Sequence, residues 1–135
     1  MDQTAINAGN LTGRIFIAAL FLMAGIGKLG AGYAGTQGYM EAMGVPGVLL
    51  PLVIALEIGG AILVVAGLFT RVTALALAGF TVLSAVLFHV DFSDQMQQIM
   101  FMKNFAIAGG FLFLAASGGG AWSIDARRSR TLGNN

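Results

Sequence analysis

The sequence has 135 residues, 57% of them hydrophobic and 10% charged, with a formal net charge of +1 and a mean hydropathy of +0.84. A soluble domain carries about 25% charged residues, so this chain is too poor in charge to dress a soluble surface and reads as an all-α integral membrane protein. The near-neutral balance with scattered basic residues excludes a nucleic-acid partner; the absence of Cys and the single His exclude thiol redox chemistry, iron–sulfur ligation and two-His haem ligation, so no metal, haem or cluster is expected.

In chain order, the polar start MDQTAINAGNLTG has neither a basic n-region nor an A-x-A site in the usual order. The first apolar stretch, about 11–29, is therefore expected to be a retained span and not a cleaved signal. The connection GAGYAGTQGYMEAMGVPG that follows is too rich in Gly to span. Within it Thr36 is expected to cap a short interfacial helix running through Met43, with Tyr39, Met40 and Met43 on one side; an irregular loop is the alternative. Tyr33 and Tyr39 suit the headgroup region. A second span is expected at about 48–69, a third at 72–90 and a fourth at 99–117, each near the roughly 20 residues that cross the hydrocarbon core. The pair Thr70-Arg71 leaves no room for more than a tight turn, so the second and third helices must be antiparallel neighbours. One domain follows, an antiparallel four-helix bundle.

Beyond the fourth span, the glycines at 118–120 read as a flexible exit, since no strand precedes them to form a phosphate loop. Trp122 fits an interfacial anchor, and the basic RRSR run at 127–130 suits anionic lipid headgroups. Arg14, Arg71, Arg127, Arg128 and Arg130 fall at one end of the bundle, Lys28 and Lys103 at the other. The positive-inside rule then places both termini in the cytoplasm, with the chain in a bacterial cytoplasmic (inner) membrane.

Several polar residues fall where apolar ones are expected. Glu57 lies about ten residues into the second span, roughly 15 Å deep, and a mid-span carboxylate is a functional hypothesis by default. Lys28 ends the first span, His89 closes the third, and Lys103 with Asn104 opens the fourth, all in the same half of the bundle. Small residues share their faces: Gly60 and Ala61 with Glu57, Ala24 and Gly25 with Lys28, Ala85 and Val86 with His89, Ala106 and Gly110 with Lys103. Such faces point at other helices, so a polar pocket toward the outer surface is expected. The plainer alternatives are a snorkelling Lys28, an interfacial His89, a hydrated start to the last helix, and a purely structural Glu57–Lys103 ion pair. The seven methionines, MQQIMFM at 96–102 among them, suit apolar filling better than copper ligation.

The pieces GRIFIAALFLMAGIGKL, YMEAMGVP, LEIGGAILVVAGLFTR, then His89, then KNFAIAGGFLFLAASGGGAWSID resemble the DoxX family of small four-helix membrane proteins, over residues 13–125. The resemblance places family-typical polar residues at Lys28, Glu57, His89, Lys103 and Asn104. It implies an oxidoreductase subunit, since the family is named after a subunit of a thiosulfate:quinone oxidoreductase; other members look like accessory subunits of membrane redox complexes or stress-response proteins. The reading is a quinone-linked subunit without a redox centre of its own. Glu57, Lys103 and His89 would be the catalytic groups, Glu57 carrying a proton and Lys103 or His89 donating to a quinone oxygen; Lys28 and Asn104 would bind the ligand. A cofactor-free accessory or scaffold subunit of a larger membrane redox complex, or a homo-oligomer, is the alternative. A small transporter coupled to protons through Glu57 is the third reading, opposed by the two nearby lysines.

Overall fold

The computed structural model describes residues 1–133 and is helical, with the expected four long apolar helices. Asp2 caps the first, α1 (Gln3–Gly27), by accepting from the Thr4 N–H. The helix thus begins well before the apolar run at 11, because Gln, Asn and Thr continue a capped helix where it leaves the hydrocarbon. After Gly30, in the left-handed region, comes α2 (Ala31–Ala42). Thr36 does not cap this helix. It lies inside it, and its hydroxyl donates to the Gly32 carbonyl, because the helix starts six residues earlier than the capping reading requires. Met40 is buried while Tyr39 and Met43 are exposed, so the three do not share one buried side; the Tyr39 ring stacks on Phe88.

A single 3-10 turn (Gly47–Leu49) leads into α3 (Leu50–Ala66), where Pro51 sits in the first turn, needing no N–H there. Gly67, left-handed, closes α3: the Gly67 and Leu68 N–H groups donate to the Val64 and Leu63 carbonyls. Then α4 (Thr70–Phe88) begins. Thr70 and Arg71 therefore belong to α4, and the connection is residues 67–69. Asp94 caps α5 (Gln95–Ser117) through the Met96 N–H, four residues earlier than the apolar run alone suggests. The last described element is α6 (Ile124–Gly133).

α1 packs most closely on α3, α4 on α5, and α3 joins the two pairs. The Phe21 and Phe111 rings, edge to face with centroids 5.2 Å apart, tie α1 to α5. Ala18, Ala61, Ala74, Ala78 and Ala108 fill the interior with Val64 and Leu77, small residues that bring backbones together where water supplies no drive to pack. Large apolar side chains turn outward instead, Phe113 80% and Phe16 74% exposed among them, as suits lipid.

At the end where α1 starts, charged side chains cap helix termini. Arg14 is 1% exposed. Its Nη1 donates to the Val64 and Val65 carbonyls at the C-terminus of α3 (3.2 and 2.9 Å), its Nε to Asn10 Oδ1 (3.1 Å) and its Nη2 to the Trp122 carbonyl. Arg71 Nη1 donates to the last carbonyls of α5, at Ala115 and Ala116 (2.9 and 2.6 Å). Asp125 accepts from the Phe69 and Thr70 N–H groups at the start of α4 (2.9 and 2.8 Å). Cations thus meet negative helix ends and an anion a positive one. Burial pushes the Asp125 carboxyl up, but the Thr70 and Phe69 N–H groups and the Arg128 charge outweigh it and hold it below the ordinary carboxylate range. The glycines at 118–120 are no flexible exit. A Cβ on Gly119 would lie 2.8 Å from both Ser123 Cβ and Thr70 Oγ1, so only glycine lets α6 close against the bundle, where the Ser123 hydroxyl accepts from the Ala126 N–H.

Candidate functional site

At the opposite end, α3 turns Ile54, Glu57, Gly60, Ala61 and Val64 inward, the i, i+3, i+4, i+7 spacing of one helix face. Glu57 is 4% exposed and about 10 Å along the helix from Leu50. Gly25 of α1 sits directly against it; a Cβ there would meet Ile58 Cγ1 at 2.6 Å and Glu57 Cβ at 3.2 Å. One turn further along, Lys28 is thereby brought to the carboxylate. Its Nζ donates to Glu57 Oε1 (2.9 Å) and to the Ala24 carbonyl (3.1 Å), and lies 2.8 Å from Oε2, which makes no hydrogen bond of its own.

The ion partner of Glu57 is therefore Lys28 and not Lys103. The reason is helix pairing: α1 lies tightly on α3, whereas α5 lies mainly on α4. The inward face expected for Lys103 holds only in part: a Cβ on Gly110 would meet Ile17 Cδ1 of α1 at 3.2 Å, but this is not the side that α5 buries. Lys103, Ala106 and Gly110 are exposed, and α5 buries the Ala108, Phe111, Leu114 and Ala115 side instead. The expectation for His89 holds in part, since Ala85 is buried and Val86 is exposed. His89 Nδ1 stands 2.9 Å from Gln97 Oε1, a hydrogen bond that ties the end of α4 to the first turns of α5.

Two chambers adjoin Glu57. The larger, about 370 Å³, lies among α2, α3 and α4 and is walled chiefly by apolar side chains such as Met40, Val53, Leu56, Leu83 and Phe88, with Lys28, Thr36, Glu57, Ser84 and His89 as its polar members. The smaller, about 160 Å³, is lined by Leu20, Phe21, Ala24 and Ile107, with Lys103 and Asn104 from α5. Glu57, Phe80 and Ser84 line both. The five expected residues thus meet in two groups that share one carboxylate: Lys28, Glu57 and His89 around one chamber, Glu57, Lys103 and Asn104 around the other. Sequence reasoning missed Ser84 and Phe80, which form the shared wall on α4, and the place of Thr36 in the larger chamber. A serine within a mainly apolar span, five residues before His89, is the signal that could have found the first.

Chemically, the larger chamber suits an amphiphile. Its walls take hydrocarbon, while the Lys28 ammonium offers a donor and the Glu57 carboxylate an acceptor at the floor. Leu52 and Leu83, which line it, are also exposed on the outside of the bundle, so it opens sideways between α3 and α4.

Comparison with known proteins agrees with this architecture. The family model described as DoxX matches residues 9–90. The inner membrane protein YqjF of Escherichia coli (strain K12) is 57% identical over 119 residues, covering 88% of this chain and 91% of that protein. The inner membrane protein YphA of the same organism is 39% identical over 124 residues, 87% of this chain and 88% of that protein. No solved structure matches.

Proposed function

The chain belongs to the DoxX family, and on that premise we propose that it binds a quinone in the outer half of the bundle, as a subunit of a redox assembly in a bacterial inner membrane. The observation that carries this reading is the Lys28–Glu57 pair at the floor of an apolar chamber of about 370 Å³ that opens toward lipid. A bound quinone would supply two-electron, two-proton redox chemistry. Lys28 Nζ holds a ring oxygen by a charge-assisted hydrogen bond, and Glu57, already in contact with that ammonium, holds or passes a proton beside it. Ser84 and His89 line the same chamber and orient the ring, while the wall of α3 and α4 side chains holds its apolar substituent. Lys103 and Asn104, on the far side of Glu57, connect the carboxylate to the smaller chamber and so offer a second side for proton exchange. Electrons come from a partner subunit. The relatives named as inner membrane proteins support the location, and the arginine-rich end supports cytoplasmic termini.

One observation favours the competing reading of a cofactor-free accessory subunit: the Lys28 ammonium already donates to both Glu57 and the Ala24 carbonyl, an arrangement that can serve stability alone. Organic extraction of the protein purified in mild detergent, with mass spectrometry of the extract, separates the two. A stoichiometric quinone in the wild type that is lost in a folded Glu57→Ala variant is the expected result. A folded wild-type protein that retains a partner subunit but yields no quinone makes the pair structural and the chain a scaffold.

A further inference from the structure

The groove between the start of α4, the glycine turn at 118–120 and α6 has no part in the proposed chemistry, and its volume is about 630 Å³. Arg71 and Arg128 both line it. Arg71 anchors itself through Nη1 alone; among the described residues its Nε and Nη2 make no hydrogen bond. The Arg128 guanidinium lies over the Phe69 ring, 5.4 Å from its centroid, and makes none either. The opposing charge is Asp125, but both its oxygens already accept from the first N–H groups of α4. At the floor lies Thr70, 1% exposed, whose hydroxyl stands beside the Asp125 carboxylate. Two guanidinium forks with donors to give therefore face a site whose one carboxylate is occupied. The rim is apolar: Phe69, Val72 and Leu132 line the groove and are exposed.

We propose that this groove binds the phosphate-bearing headgroup of an anionic lipid. Paired guanidinium groups suit the oxygens of a phosphate. A free phosphate would account for the arginines but not for an apolar rim at the ends of two spanning helices, where a lipid's acyl chains lie. The site is distinct from a diffuse basic surface, because Arg127 and Arg130 line a separate groove with Trp122.

The test is binding of phosphatidylglycerol, phosphatidylcholine or inorganic phosphate to the full chain in mild detergent, read by native mass spectrometry and by thermal shift. Phosphatidylglycerol is expected to bind the wild type more tightly than phosphatidylcholine. Arg128→Ala removes a side chain that caps nothing, so the protein should fold and lose phosphatidylglycerol affinity about fivefold, with Arg127→Ala changing it less than about twofold. Arg71→Lys should also weaken it, since an ammonium cannot reproduce the fork. Equal affinity for the two lipids overturns the proposal. So does an equal loss in Arg127→Ala and Arg128→Ala, which would mean a general basic surface, and so does inorganic phosphate binding as well as phosphatidylglycerol, which would mean a site for the free ion.

Discussion

Arg14 at one end of the bundle and Glu57 at the other are each at most 4% exposed, yet their surroundings differ in kind. Arg14 donates to three backbone carbonyls and one side chain, and two of those carbonyls belong to a helix terminus that needs a donor. Among the described residues, Arg14 itself lines none of the cavities named above. Glu57 accepts one hydrogen bond, from one lysine, and leaves Oε2 without another beside two chambers. Burial of a charge is common to both ends and so does not distinguish function from architecture. What distinguishes them is whether the partners are backbone groups at a helix end or a single side chain beside two cavities.

The sharpest way to break that comparison is Arg14→Leu. Three carbonyls and Asn10 lose a charged donor, and since hydrogen bonds to charged groups contribute about 1.5–3 kcal/mol each, a loss of roughly 3 kcal/mol or more is expected. The single Trp122, whose carbonyl Arg14 holds, gives a local fluorescence signal; an unchanged emission maximum and unfolding midpoint would show the capping layer to be incidental. Next comes Gly25→Val, which forces Ile58 and Glu57 away from α1. Overpacking of this kind costs about 1–3 kcal/mol, and the variant should lose the Lys28–Glu57 contact and with it the quinone binding proposed above. Normal quinone retention would sever the site from the helix pairing that builds it.

Asp125→Asn should cost about 1 kcal/mol, as for other lost N-caps. The folded carboxyl is held below its ordinary range, so its contribution is present at neutral pH, above the unfolded value, and lost as pH falls below about 4 and through the lowered folded value. In thermal scans across the acid range, the wild type should lose its advantage over the variant there; a constant gap would show that the carboxyl's charge does not matter. The smallest stability effect is expected for the double change Lys28→Met with Glu57→Leu, within about 1 kcal/mol, because apolar replacement of a buried pair is often neutral or better. Lys28→Met alone leaves a buried carboxylate unpaired and should cost more. If the double variant falls as far as Arg14→Leu, the two ends are alike after all.

Of the site, Glu57 was legible at once, because a carboxylate among apolar residues stands out at any level of description. The half of the bundle that holds Lys28, His89, Lys103 and Asn104 was legible too, since span boundaries and alternating direction suffice to place them. The choice between Lys28 and Lys103 as ion partner was not. Both lysines lie at the right end, and only the seating of Gly25 against Glu57 brings one of them within 2.9 Å. Arg14, Arg71 and Asp125 were equally opaque: a count of basic residues treats Arg14 and Arg71 as topology signals, while each in fact satisfies groups on a helix distant in the chain.

Length and hydropathy by themselves determined that this chain forms four membrane-crossing helices, because crossing depends on the apolar content of each segment separately and each segment satisfies its own backbone. Local chemistry also determined that Glu57 would need a partner. Which helices lie together, which lysine meets the carboxylate, and how the residues after the last span fold back to cap α3 and α4 were decided only by the tertiary structure. Those outcomes depend on contacts between residues tens of positions apart, set by small residues at helix crossings and by unpaired groups at helix ends, and neither has a partner that can be read along the chain.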